Sequence, residues 1–165
     1  MTDESLALLA RLPELQMLGV RSDRITDRGV ATISQWKQLI SLTLASSSVT
    51  EAGIDQLQAL PKLEFLRCGG PQVNDAWIEH FANLRGLKTL VLNGTQFTDE
   101  GLDGLAAMKN LDGLFFEDMP ISDASLQRLH PMSNLRRIGL HQTQVTTGGV
   151  QQLNKALPNC RVRQY

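Results

Sequence analysis

Residues 87–110 read LKTLVLNGTQFTDEGLDGLAAMKN. Leu90 and Leu92 alternate with Thr89, Val91 and Asn93, the period of a strand with one buried face. Leu102, Leu105 and Met108 recur every three residues, which puts them on one face of a helix. Thr98, between the two, is a residue type that caps helix starts. Asp99 adds an acid at the positive end of the helix dipole. The unit is a short strand, a loop, a capped helix and a return. Neither half can bury its apolar side alone.

The same unit recurs along the chain at a step of 24 residues. Leu15, Leu39, Leu63, Leu87, Leu111 and Leu135 open the copies, each continuing as LxxLxL with Cys68 and Phe116 among the third positions. Ile25, Val49, Val73, Phe97, Ile121 and Val145 form an apolar column. Thr26, Thr50, Asn74, Thr98, Ser122 and Thr146 follow as helix caps, then Asp27, Glu51, Asp75, Asp99 and Asp123, with Thr147 the exception. Trp36, Leu60, Leu84, Met108 and Met132 close the helical stripe, so Trp36 is expected in the core. Stacked units bury both sides in one continuous core. Each fully buried Leu or Ile contributes roughly 1.5–3 kcal/mol.

Read as LxxLxLxxTxxTDxGLxxLxxLxx, the chain resembles leucine-rich repeats of the bacterial TD-x-GL variety. These are similar to the cysteine-containing and ribonuclease-inhibitor-like types. The resemblance covers nearly the whole chain. It implies an α/β fold, a right-handed solenoid with a parallel sheet on the concave face and short helices on the convex face. It also implies a surface for protein binding rather than a catalytic cleft. Departures from the pattern are local. The polar ladder position holds Asp23, Ser47, Pro71, Thr95, Met119 and Thr143. Pro71 and Met119 lack the ladder's donor, so irregular loops are expected there. Trp77 and Ser125 stand where glycine is usual, and Trp77 is expected to pack over a neighbouring helix.

The expected organisation is one repeat domain, 1–165. A half unit at 2–14 precedes units 15–38, 39–62, 63–86, 87–110, 111–134 and 135–157, and a terminal strand lies in 158–165. The opening helix has no strand before it. It acts as the cap, or the chain is cut from a longer protein, or the exposed end pairs with another subunit. The expected state is a monomer or a weak end-to-end dimer.

Composition narrows the function. With 165 residues, 42% hydrophobic and a net charge of −1 from 16 basic and 17 acidic residues, the chain can build a core and has no basic excess. Nucleic acid is therefore not the expected partner. No apolar run is long enough for a membrane span, and the acidic start, Met1-Thr2-Asp3-Glu4-Ser5, does not read as a secretory signal, so a cytoplasmic location is expected. His80, His130 and His141 are isolated, and no metal, cofactor or nucleophile motif occurs, so neither metal nor cofactor is expected. Cys68 and Cys160 lie in inward columns four strands apart, roughly 20 Å at the strand spacing, so two free buried thiols are expected.

The residues between the leucines face outward. Phe65, Val91 and Phe115 lie on three successive strands and outline an apolar spot, with Arg67, Glu117, Asp118, Arg137 and His141 around it. An apolar centre with an arginine-containing rim is how a protein-binding hot spot is built. The flanking charges Lys88, Arg136, Glu64 and Asp112 are mixed, and Arg136, Arg137, Arg161 and Arg163 gather at the C-terminal end as charges that blunt a sheet edge. The expected function is non-enzymatic: a protein-protein interaction module binding on the concave sheet face through Phe65, Arg67, Val91, Phe115, Glu117, Arg137 and His141. The alternative is a recognition or spacer fragment of a larger multidomain protein whose chemistry lies outside this chain. An acid–base pair of His141 and Glu117 is the one enzymatic option the pattern offers.

Overall fold

The computed structural model describes residues 1–9, 11–46 and 48–165. The ladder residue Ser47 lies outside the described residues. Strands and helices alternate: α1 Asp3–Leu9, β1 Met17–Arg21, α2 Asp27–Ile33, β2 Ser41–Ala45, α3 Glu51–Gln56 with a 3₁₀ turn at Leu57–Ala59, β3 Phe65–Gly69 and α4 Trp77–Ala82. They continue as β4 Thr89–Asn93, α5 Asp99–Leu105, β5 Gly113–Glu117, α6 Asp123–Arg128, β6 Arg137–His141, α7 Thr147–Ala156 and β7 Arg161–Gln164. The seven strands form one parallel sheet in chain order. Its register pairs residues one repeat apart, so that Leu42, Leu66, Leu90 and Leu114 stand in a row. Those four are buried between sheet and helices, as are Ile54, Phe81, Leu102 and Leu126 on the helices. The first unit is covered less: Leu15 and Leu18 are only partly buried.

The acids at the helix starts turn out to join successive units. Asp27 Oδ1 accepts the Thr50 N–H at 2.8 Å, and its Oδ2 accepts the Thr50 hydroxyl at 2.6 Å. Asp3 holds Thr26, Asp75 holds Thr98 and Asp123 holds Thr146 in the same way. Each carboxylate fills the space in front of a glycine of the next helix. A Cβ on Gly29, Gly53, Gly101 or Gly149 would stand 2.3, 2.2, 1.9 or 2.0 Å from it. Where the clamp forms, the glycine is thus required by the acid of the preceding unit.

Trp77 and Ser125 mark the two junctions where this arrangement is missing. Trp77 follows the unit that carries Glu51 in place of aspartate, and Ser125 follows the unit of Asp99. Trp77 opens α4, is buried, and its ring lies 6.0 Å from that of Phe81. Ser125 instead forms a capping box with Ser122 inside its own helix.

The loops behave more uniformly than expected. Gly70, Gly94, Asp118 and Gln142 all have positive φ, so the left-handed turn is shared by four units. The first three donate their N–H to the next strand, to the carbonyls of Asn93, Glu117 and His141. Met119 keeps its place in the core and accepts the Thr95 hydroxyl on its sulfur at 3.3 Å. Trp36 is buried in its column, and its indole N–H has no partner among the described residues.

Candidate functional site

Parallel pairing lays the outward residues in three rows across the strands. One row runs Met17, Ser41, Phe65, Thr89, Gly113, Arg137 and Arg161. The next runs Gly19, Thr43, Arg67, Val91, Phe115, Gly139 and Arg163. The third runs Arg21, Ala45, Gly69, Asn93, Glu117 and His141. Arg67, Val91 and Phe115 are therefore direct neighbours, whereas Phe65 sits one row away.

The expected spot of three exposed apolar residues is corrected at its centre. Val91 is 5% exposed, while Phe65 and Phe115 are half-buried. Arg67 reaches from β3 to an ion pair with Glu117 on β5, past the β4 strand that carries Val91. Asn93 Nδ2 donates to the same Glu117 oxygen at 3.1 Å. Phe115 leans on Gly139, where a Cβ would meet its ring at 2.3 Å. Arg137 crosses Gly113 in the same manner, its Nη2 standing 2.5 Å from Asp112 Oδ1 and 3.2 Å from Thr89 Oγ1. Glycine in a strand marks such close approaches. Gly113 and Gly139 were the sequence signal for these side-chain seats, and Thr89, Asn93 and Asp112 were the partners that the sequence reading missed.

His141 and Glu117 are adjacent in register, yet no ion pair joins them among the described residues. Glu117 is taken by Arg67 and Asn93, and the His141 ring lies 6.4 Å from that of Tyr165, edge-on. The acid–base pair is not formed. An open cleft of about 430 Å³ lies between Phe115, Glu117, His141 and Tyr165.

Charge on the sheet is also less mixed than the sequence implied. The strands turn Arg21, Arg67, Arg137, Arg161 and Arg163 outward against a single acid, Glu117. Glu64, Lys88, Asp112 and Arg136 stand just before the strands, and Lys88 is paired with Glu64 at 2.6 Å. Cys68 and Cys160 are both free and buried. Burial pushes the Cys68 thiol up to about 12 and raises Cys160 as well, against the opposing effect of Arg136. Among the described residues no group of histidines, cysteines and acids is placed to hold a metal ion, and no helix is long and apolar enough to cross a membrane.

No family model and no curated protein matches the chain. Solved structures do. An internalin from Listeria monocytogenes superposes with a TM-score of 0.59 at 20% identity, over 95% of this chain and 51% of that one. The C-terminal domain of tropomodulin from Caenorhabditis elegans gives 0.53 at 11% identity, over 96% and 93%. A leucine-rich-repeat protein from Leptospira interrogans gives 0.50 at 14% identity, over 94% and 50%. The chain spans about half the length of the internalin and of the Leptospira protein. A 24-residue register across seven parallel strands, each followed or preceded by a short helix, together with these likenesses, makes this chain a protein of leucine-rich-repeat fold.

Proposed function

We propose that residues 1–165 act as one repeat domain, a non-enzymatic module that binds a protein partner on the open face of its sheet. The observation that carries this reading is the fixed arrangement around β4. Arg67–Glu117 and Arg137–Asp112/Thr89 hold two guanidinium groups beside the half-buried rings of Phe65 and Phe115. Side chains held in place before binding lose less entropy on association. Rings and arginines are the residue types that dominate binding energy at protein interfaces. Exposed Leu8, Leu12 and Met17 at the first unit support a weak end-to-end dimer as the second contact.

The test compares capture of partners from host lysate by three forms. These are the wild type, Phe65→Asp/Phe115→Asp, and Gln58→Asp/Gln152→Asp on the exposed helix side, with circular dichroism confirming the fold of each. The open-face variant should lose at least tenfold in capture, or about 1.4 kcal/mol, and the helix-side variant should match wild type. Equal capture by the folded open-face variant contradicts the reading.

The reading as the recognition part of a longer protein draws support from the two solved structures that extend to about twice this length. A genomic reading frame with further repeats upstream of Met1 would establish it, and a stop codon there would remove that direction of extension.

A further inference from the structure

We propose that the open face carries a receptor for one carboxylate side chain, a notch over Ala45 and Gly69, and that the partner inserts an aspartate or glutamate there. The proposal deepens the open-face reading and rests on it. Three observations converge on the notch.

The first is shape. Small residues on neighbouring strands, Ala45 on β2 and Gly69 on β3, leave a gap in the third row. Arg21 walls it on one side, with Arg67 and Asn93 on the other, and the open volume is about 400 Å³. Gly69 is held to this place by backbone approach, since a Cβ there would stand 2.0 Å from the Asn93 carbonyl oxygen. The floor of the gap at Gly69 is therefore fixed by the main chain, while side chains form its walls.

The second is unspent donors. Arg21 and the Thr43 hydroxyl have no hydrogen bond or ion-pair partner among the described residues, and both line the notch. Among the described residues Asn93 donates from its side-chain amide only to Glu117, which leaves its second N–H available. The acids nearby are engaged: Glu117 by Arg67 and Asn93, and Asp23, at the lip, in an interaction of its own. A site with several open donors and few open acceptors suits an oxyanion, and guanidinium binds carboxylate bidentately.

The third is the surrounding charge. Of the five outward arginines, Arg67 is paired with Glu117 and Arg137 with Asp112, which leaves Arg21, Arg161 and Arg163 without an ion pair among the described residues and the sheet cationic in a chain whose net charge is −1. The rim charges are mixed, with Glu64 paired to Lys88 and Asp112 to Arg137, so no continuous basic stripe tracks the phosphates of a nucleic acid, and a single acidic side chain of a protein segment fits better.

The probe is a capped pentapeptide, Gly-Gly-Glu-Gly-Gly, titrated into nitrogen-15-labelled chain and followed by amide chemical shifts. Its glutamine counterpart, inorganic phosphate and a thymidine oligonucleotide are titrated in parallel. The glutamate peptide should shift Gly69, Gly70 and Asn93 with millimolar saturation, at least tenfold more tightly than the glutamine peptide. Arg21→Gln, which removes the donor, and Ala45→Leu, which fills the gap, should each weaken it at least tenfold while the remaining spectrum is kept. Equal shifts by both peptides, shifts located elsewhere, tighter binding of phosphate or oligonucleotide, or no shift would overturn the notch. Partner capture that still depends on Phe65 and Phe115 would then leave the open-face reading standing, so the two failures are separable.

Discussion

The α4–α5 and α3–α4 junctions join the same kinds of element by different means. At α4–α5, Asp75 binds Thr98 and occupies the space before Gly101. At α3–α4, Glu51 and Asn74 hold the matching positions, no such clamp forms among the described residues, and Trp77, in the glycine's place, is buried with its ring 6.0 Å from that of Phe81. The difference shows that the Asp, Thr and Gly of this repeat are a matched set split across two units. Where the clamp is absent the next helix is released from its glycine, whether the acid is replaced, as at Glu51 before Trp77, or kept, as at Asp99 before Ser125. One junction is then held by charged hydrogen bonds and close backbone approach, the other by apolar area.

Substitutions can break that contrast in graded steps. Trp77→Gly should cost about 4 kcal/mol, the scale of a buried aromatic truncation, because glycine gains nothing without an aspartate before it. Urea denaturation measures this, and adding Glu51→Asp with Asn74→Thr should recover part of the loss by building the missing clamp. Gly101→Val should cost about 3 kcal/mol, since its Cβ collides with the Asp75 carboxylate. Thr98→Val should cost about 1 kcal/mol, as it deletes the hydroxyl that both caps α5 and donates to Asp75.

Acid titration sharpens the same contrast with a smaller effect. Hydrogen bonds from the Thr146 hydroxyl and backbone hold the Asp123 carboxyl below its ordinary 3.8, with Gly149 adding to the effect. The folded value is the lower one, so the unfolded chain takes up the proton first and stability rises with pH across the window. The contribution is fully present above about 3.8 and is lost as pH falls through the lowered folded value. Amide exchange at Thr146 and Gly149 should accelerate there in wild type, and Asp123→Asn should remove the step. Thiol labelling contrasts interior with edge: Cys68 should resist iodoacetamide at pH 8 until unfolding, while Cys160, beside the last strand, labels earlier.

The fold was legible because leucine, cap and glycine columns kept one step of 24 residues and agreed on strand and helix. The same alignment named the outward rows, yet it did not show how long side chains cross them. Arg67 passes Val91 to reach Glu117, and Arg137 passes Gly113 to reach Thr89, both spanning two strands. Pattern reading assigns each residue a direction and leaves its reach open, so Val91 read as exposed and His141 read as the partner of Glu117. The acid after each cap was read through the helix dipole, a local effect. Its bond to a residue 23 positions on is visible only once the helices are stacked.

Aspartate and glycine in neighbouring units are matched, and a double-mutant cycle on Asp123 and Gly149 measures the match. The three nearest atoms that a Cβ on Gly149 would meet all belong to Asp123. In urea unfolding, Gly149→Ala should destabilise the wild type and become neutral or stabilising in the Asp123→Ala background, where alanine is simply the better helix former. The same cost in both backgrounds would show that the two residues are not coupled.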